Sequence, residues 1–274
     1  ESVINGEAWR EFCAELSTLG ELILAPGNPS APLVRAEGYR YLTRLLRLGL
    51  EQHIEARDPA FPFFYQLSHT TGKIGADNPD NVYWNARISG AFDYRLTVKR
   101  GTMAYLSIVA NAFRYHEDGT NKATGTLIDA DIEWDSDGVA EIIASTTPQP
   151  KNWLRLEPDA SMIIIRQSYL DRSREKPGEF RIERIGGPAT PPPLTASDLG
   201  AGLKETSAFV RGIVSTFIEW SQLFRETPNV FPAIDQAMFQ NAGGASDIYY
   251  VHAYWSILPD EAWVIKVKPS EAYY

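Results

Sequence analysis

The chain is poor in cysteine, histidine and methionine, with 1, 4 and 3 among 274 residues. A single cysteine, Cys13, allows no internal disulfide and no cysteine-built metal site. His53, His69, His116 and His252 share no spacing of the HExxH kind, so no metal centre is expected. No apolar run reaches about 18 residues, which excludes a membrane-spanning helix by sequence. There is no basic run, and the net charge is −9. Such a chain repels phosphate backbones, so nucleic acid is not an expected partner. GxGxxG, GxxxxGK[ST] and GxSxG are all missing, so neither an organic cofactor nor nucleotide hydrolysis is expected. The lone cysteine fits a reducing compartment; a cytoplasmic setting is expected, with the periplasm left open.

What is present is globular. The chain is 44% hydrophobic and 12% aromatic, enough to bury a sizeable core. Helical spacing runs through residues 5–25, with Trp9, Phe12, Cys13, Leu16 and Leu19, and places Cys13 on an apolar face as an inert thiol. "APGNPSAP" breaks it. A second helix over 35–56 carries Tyr39, Leu42, Leu46, Leu50 and Ile54.

From residue 64 to 186 the period changes to two. "NVYWNARIS", "FDYRLTVKR", "MAYLSIVAN", "GTLIDADIEW", "VAEIIAS", "SMIIIRQSYL" and "EFRIERI" read as strands. The expected fold is α+β, an antiparallel β-sandwich or jelly-roll-like core with an N-terminal helical segment and a long helix before the last strands. The expected divisions are a helical segment at 1–62, a β domain at 63–186, a proline-rich linker at 187–199, a helical segment at 200–246 and a β segment at 247–274.

Shifting the sequence by 167 positions lays "DNVYWNARISGAFDYRLTVK" (80–99) over "DIYYVHAYWSILPDEAWVIK" (247–266), with 6 of 20 positions identical. Alternation puts Val82, Trp84, Ala86 and Ile88 on one face and Tyr83, Asn85 and Arg87 on the other. Tyr250, His252 and Tyr254 form the corresponding polar face of the second copy. That copy stops in mid-pattern at Tyr274. It predicts a continuing chain, a second chain or a homo-oligomer that completes the sheet, or else a plain terminal hairpin.

"EGYRYLTRLL" (37–46), "GADNPDNVYWNARISG" (75–90), "NWLRLEPDASMIIIRQSYLDR" (152–172) and "FRIERIG" (180–186) resemble the bacterial proteins grouped as domain of unknown function 1214, which often accompanies domain of unknown function 1254. "YYVHAYWSILPDEAWVIKVKPSEAYY" also resembles the opening of that domain's characteristic segment. The resemblance implies a β-rich, jelly-roll-like fold with accessory helices, and no settled activity.

Two acidic stretches invite a calcium reading. "GADNPDNVYW" (75–84) reads better as a turn that opens a strand, because Asn and Asp bond their own backbone. "DADIEWDSDG" (129–138) places Ala144 where an EF-hand needs a bidentate Glu, so a hairpin with an Asp-Gly turn is expected. Asp171 and Arg172 are expected to pair.

Two functional readings follow. In the first, the protein is a cofactor-independent hydrolase, lyase or isomerase acting on a small hydrophobic-ring or sugar-like molecule. His252 is the general acid or base, beside Tyr250, Tyr254 and Arg87. Tyr83, Trp84, Asn85, Trp153, Arg166 and Trp255 line the ligand cleft, with Arg87 or Arg166 holding an anionic or polar group. In the second, the same face belongs to a non-catalytic ligand-binding or assembly module.

Overall fold

The computed structural model describes residues 1–75 and 77–268. The fold is α+β, with two four-stranded sheets and four α-helices among the described residues. Helices α1 (Glu7–Glu21) and α2 (Pro32–Leu50) come first, and α2 runs on into a π-helical turn, Glu51–Glu55. Strands follow: β1 (Asn81–Arg87), β2 (Tyr94–Lys99), β3 (Tyr105–Arg114), β4 (Thr120–Ile128), β5 (Val139–Ser145), β6 (Trp153–Arg155), β7 (Met162–Ser168) and β8 (Glu179–Arg184). Helices α3 (Ala196–Arg225) and α4 (Gln236–Asn241) complete the order.

The first sheet has the order β1-β7-β3-β4 and the second β6-β5-β2-β8. All pairings are antiparallel except β5 with β6, which is parallel. The sheets face each other across a core that includes Ala86, Leu106, Ile108, Ile163 and Ile165 from one and Tyr94, Leu96, Val98, Ile142 and Ile182 from the other. The outer face of the second sheet meets solvent. There Arg95 pairs with Glu141 and Glu183, and Lys99 with Glu179.

The first sheet is a middle layer. Its other face carries Phe113, Tyr115 and Met162 against Leu45 and Leu48 of α2 and Phe209, Val210 and Ile213 of α3. This explains the unbroken "MIII" of β7. Ile163 and Ile165 face the second sheet while Met162 and Ile164 face the helices, so both sides of the strand need apolar cover. Burying each such side chain contributes about 2 kcal/mol. Helix α3 lies so close to the chain beneath it that a Cβ at Gly212 would overlap the carbonyl of Tyr115.

Several expectations change. Cys13 is exposed, because the buried stripe of α1 is Ala8, Phe12 and Leu19, and Trp9 also points outward. The acidic loop 129–138 has the Asp-Gly turn, with Gly138 at φ 72° and the Asp135 amide donating to the Val139 carbonyl, but it joins no hairpin, since β4 and β5 belong to different sheets. Asp129 meets Arg100 through two hydrogen bonds of 2.8 Å, and Asp135 accepts from the amides of Asp137 and Val139. Asp171 accepts from Ser173 and stands 3.5 Å from Arg174, while Arg172 bonds the carbonyls of Pro79 and Asn81. The Asp171–Arg172 pair therefore does not form.

The second copy of the repeat forms no strand at residues 247–268; the expected β segment beyond 268 lies outside the described residues. The first copy has β7 beside it to complete a ladder. The second is met instead by side chains. Gln236 bonds the backbone of Tyr250, and Asn229 that of Ser256.

Candidate functional site

Chain "GADNPDNVYW" enters β1 through a turn: the Asn81 amide donates to the Asn78 carbonyl at 3.1 Å, and the Asn78 side chain accepts from the Asp80 amide at 2.8 Å. Beyond this turn, alternation sends Val82, Trp84 and Ala86 toward the core between the sheets and Tyr83 and Asn85 the opposite way. Tyr83 lies directly across from Arg166 of β7, and Asn85 from Ile164. Together they form the floor of a cavity of about 550 Å³. Phe217 and Trp220 of α3, Phe239 of α4 and residues 242–244 and 248–252 complete its walls.

The walls are strongly aromatic. His252 stacks on Phe239 at 4.7 Å and on Phe224 at 5.3 Å, each with the planes 16° apart, and Trp220 meets its edge at 6.1 Å. Burial holds the His252 imidazole below its ordinary pKa, and its Nδ1 has no hydrogen-bond partner. Burial likewise raises the phenol of Tyr250, which accepts from the Ala245 amide at 2.7 Å. Asp77, also on the wall, accepts from Lys73 at 2.8 Å and from Ser68 at 3.0 Å. Beside Arg166, a small cleft of about 20 Å³ holds Tyr105 and Asp247, joined by a 2.8 Å hydrogen bond.

The cavity thus brings together Tyr83, Asn85, Arg166, Tyr250 and His252. The other five candidates lie elsewhere. Trp84 packs on the opposite face of β1, against the core between the sheets. Trp153 sits in β6 and donates its indole N–H to the Ser145 carbonyl. Tyr254 and Trp255 are exposed and do not line the cavity, because the strand that was to hold them in alternation is absent. Arg87 continues the Tyr83–Asn85 face but reaches a separate group with His53, His116 and Glu205.

Sequence reading missed that group and the helical share of the cavity. Phe217, Trp220 and Phe224 recur at helical spacing, which reads as ordinary core. His53 Nδ1 lies 3.1 Å from a Glu205 oxygen, and its ring is fully buried. Burial lowers its pKa to about 4. Among the described residues, no three His, Cys, Asp or Glu side chains are grouped to hold a metal ion. No described helix is long and apolar enough to cross a membrane.

These features define a two-sheet α+β protein with an aromatic cavity between its middle sheet and its C-terminal helices. The chain belongs to the family of an uncharacterized protein from Burkholderia cenocepacia whose crystal structure is known. The two share 44% identity and a TM-score of 0.91, over 94% of this chain and 72% of that one. The VPA0106 protein from Vibrio parahaemolyticus gives 12% identity and a TM-score of 0.28, over 65% of this chain and 51% of that one. No protein-family model and no curated protein matches the chain.

Proposed function

We propose that the protein binds a small ring-bearing organic molecule in this cavity, and that it falls within the domain-of-unknown-function 1214 group. One observation carries the binding reading: Tyr83, Phe217, Trp220, Phe239, Tyr250 and His252 converge on a single cavity with a few polar side chains among them. Aromatic walls with sparse polar groups favour flat or ring-shaped ligands, and the volume suits a small molecule. A cytoplasmic setting goes with this reading, supported by the single cysteine.

A second reading makes the same cavity the active site of a cofactor-independent hydrolase, lyase or isomerase. It is favoured by His252, whose Nδ1 is unpartnered on the cavity wall. It is weakened by the company His252 keeps: its neighbours are rings, and among the described residues no carboxylate orients it as a catalytic base requires.

Calorimetric titration and thermal shift with a panel of aromatic and alicyclic compounds test the binding reading. Stabilisation of the native chain is expected, and its loss in Ile164→Phe, which fills the cavity floor. A panel that leaves the native chain unchanged overturns it. Incubating the bound compound and following it by NMR tests catalysis. New signals that vanish with His252→Gln support the enzyme; an unaltered compound rejects it.

A further inference from the structure

We infer that the cavity's ligand carries a single carboxylate, held by Arg166, with its ring against the aromatic wall. The inference rests on the reading of the cavity as a ligand site and adds the chemical class.

Arg166 stands on β7, the strand that both neighbours cover, with Tyr83 across from it on one side and Ser107 on the other. Its residue exposure is 7%. A guanidinium has five N–H donors. One hydrogen bond engages them here, from Nη2 to the Gly243 carbonyl at 3.3 Å. Arg166 makes no ion pair among the described residues. A buried guanidinium without an anion is unfavourable, and the open side of this one is the cavity.

The neighbouring charges do not supply the anion. Asp77 is neutralised by Lys73 across the 2.8 Å contact. Asp247, in the adjoining cleft, is bonded by the Tyr105 hydroxyl and forms no ion pair with Arg166. Burial disfavours the charged form of His252. Among the described residues, Arg166 is therefore the one cation lining the cavity, and no carboxylate meets it in an ion pair.

The same features select the anion. A planar guanidinium fork matches a planar carboxylate. The Tyr83 ring lies 5.5 Å from the guanidinium carbon and helps fix its position. Tyr250 accepts from Ala245, which leaves its own O–H free to donate to a second ligand oxygen. One unit of negative charge cancels Arg166. A phosphate dianion would leave a surplus within a chain of net charge −9, and no lysine lines the cavity.

Matched acid and amide pairs test this in the native chain: cinnamate with cinnamamide, 1-naphthoate with 1-naphthamide, and cyclohexanecarboxylate with its amide, each titrated calorimetrically at neutral pH. The acids are expected to bind at least tenfold more tightly. Arg166→Gln is expected to erase that preference while amide binding persists. Arg166→Lys, which keeps the charge but loses the fork, is expected to fall between them. Amides that bind the native chain as tightly as acids overturn the carboxylate and leave the ring-binding reading standing. 1-Naphthyl phosphate binding more tightly than 1-naphthoate also overturns it. If neither acids nor amides bind, the cavity reading fails and this inference with it. The native-chain comparison decides the matter even if the Arg166 variants do not fold.

Discussion

His53 of the π-helical turn meets Glu205 of α3 across 3.1 Å, joining residues 152 positions apart. Burial is the larger influence on the imidazole and outweighs the carboxylate, so its folded pKa falls to about 4. The unfolded chain binds a proton near pH 6.5 and the folded chain does not. Stability is therefore full above that pH and declines as pH falls toward 4, by about 3 kcal/mol in all. Glu205 acts in the same direction, since His53 holds its pKa below the ordinary carboxylate value. Melting temperature against pH should show this fall, and His53→Asn should flatten the slope between pH 6.5 and 4. Parallel slopes in the two proteins would reject the assignment.

Gly212→Ala tests the close approach of α3. Alanine normally favours a helix over glycine by about 1 kcal/mol. Here its Cβ meets the rigid backbone of Tyr115, so a net loss of about 2 kcal/mol is expected in urea unfolding. Gly200→Ala is the control. Its nearest neighbour is a Val3 methyl at 3.4 Å, and stability there should hold or rise.

The loop at 129–138 should ignore calcium. Asp129 is engaged by Arg100 and Asp135 by two amides of its own turn. Millimolar calcium or a chelator is expected to leave the melting temperature unchanged. Asp135→Ala should lower stability by about 1 kcal/mol, because the turn amides lose their acceptor. A calcium-dependent rise in melting temperature would restore the metal reading.

The segment after α4 is tied by side chains, and hydrogen exchange can read those ties singly. The Tyr250 amide donates to Gln236 Oε1 at 2.8 Å, and the Ser256 amide to Asn229 Oδ1 at 2.8 Å. Gln236→Ala should speed exchange at Tyr250 roughly tenfold and leave β3 amides unchanged. Equal exchange in both proteins would show that other contacts hold the segment.

Much of the fold could be read because one physical rule governed it locally. Period-two alternation placed Tyr83 and Asn85 opposite Trp84, and the structure keeps that division. The apolar run of β7 marked a strand covered on both sides. Where contacts are distant, the pattern misleads. Trp255 matches the periodicity of a strand, but alternation makes a strand only where a neighbouring backbone accepts its hydrogen bonds. The three residues of β6 are too few to show a period. Trp84 and Trp153 looked like ligand walls because of their ring size, yet ring size carries no direction. His53 was hidden for the opposite reason, since its carboxylate partner lies more than half the chain away.

The aromatic cavity has a floor and a cover of different strength. Its floor belongs to the fully laddered middle sheet, whereas residues 242–244 and 248–252 on the cover are held by isolated bonds such as those from Gln236. Separating the cover from the floor ruptures a handful of side-chain contacts and leaves the inter-sheet core intact. Opening this cover locally costs far less than unfolding the sheets. The speed of exchange and the durability of the fold can then be tuned by different residues.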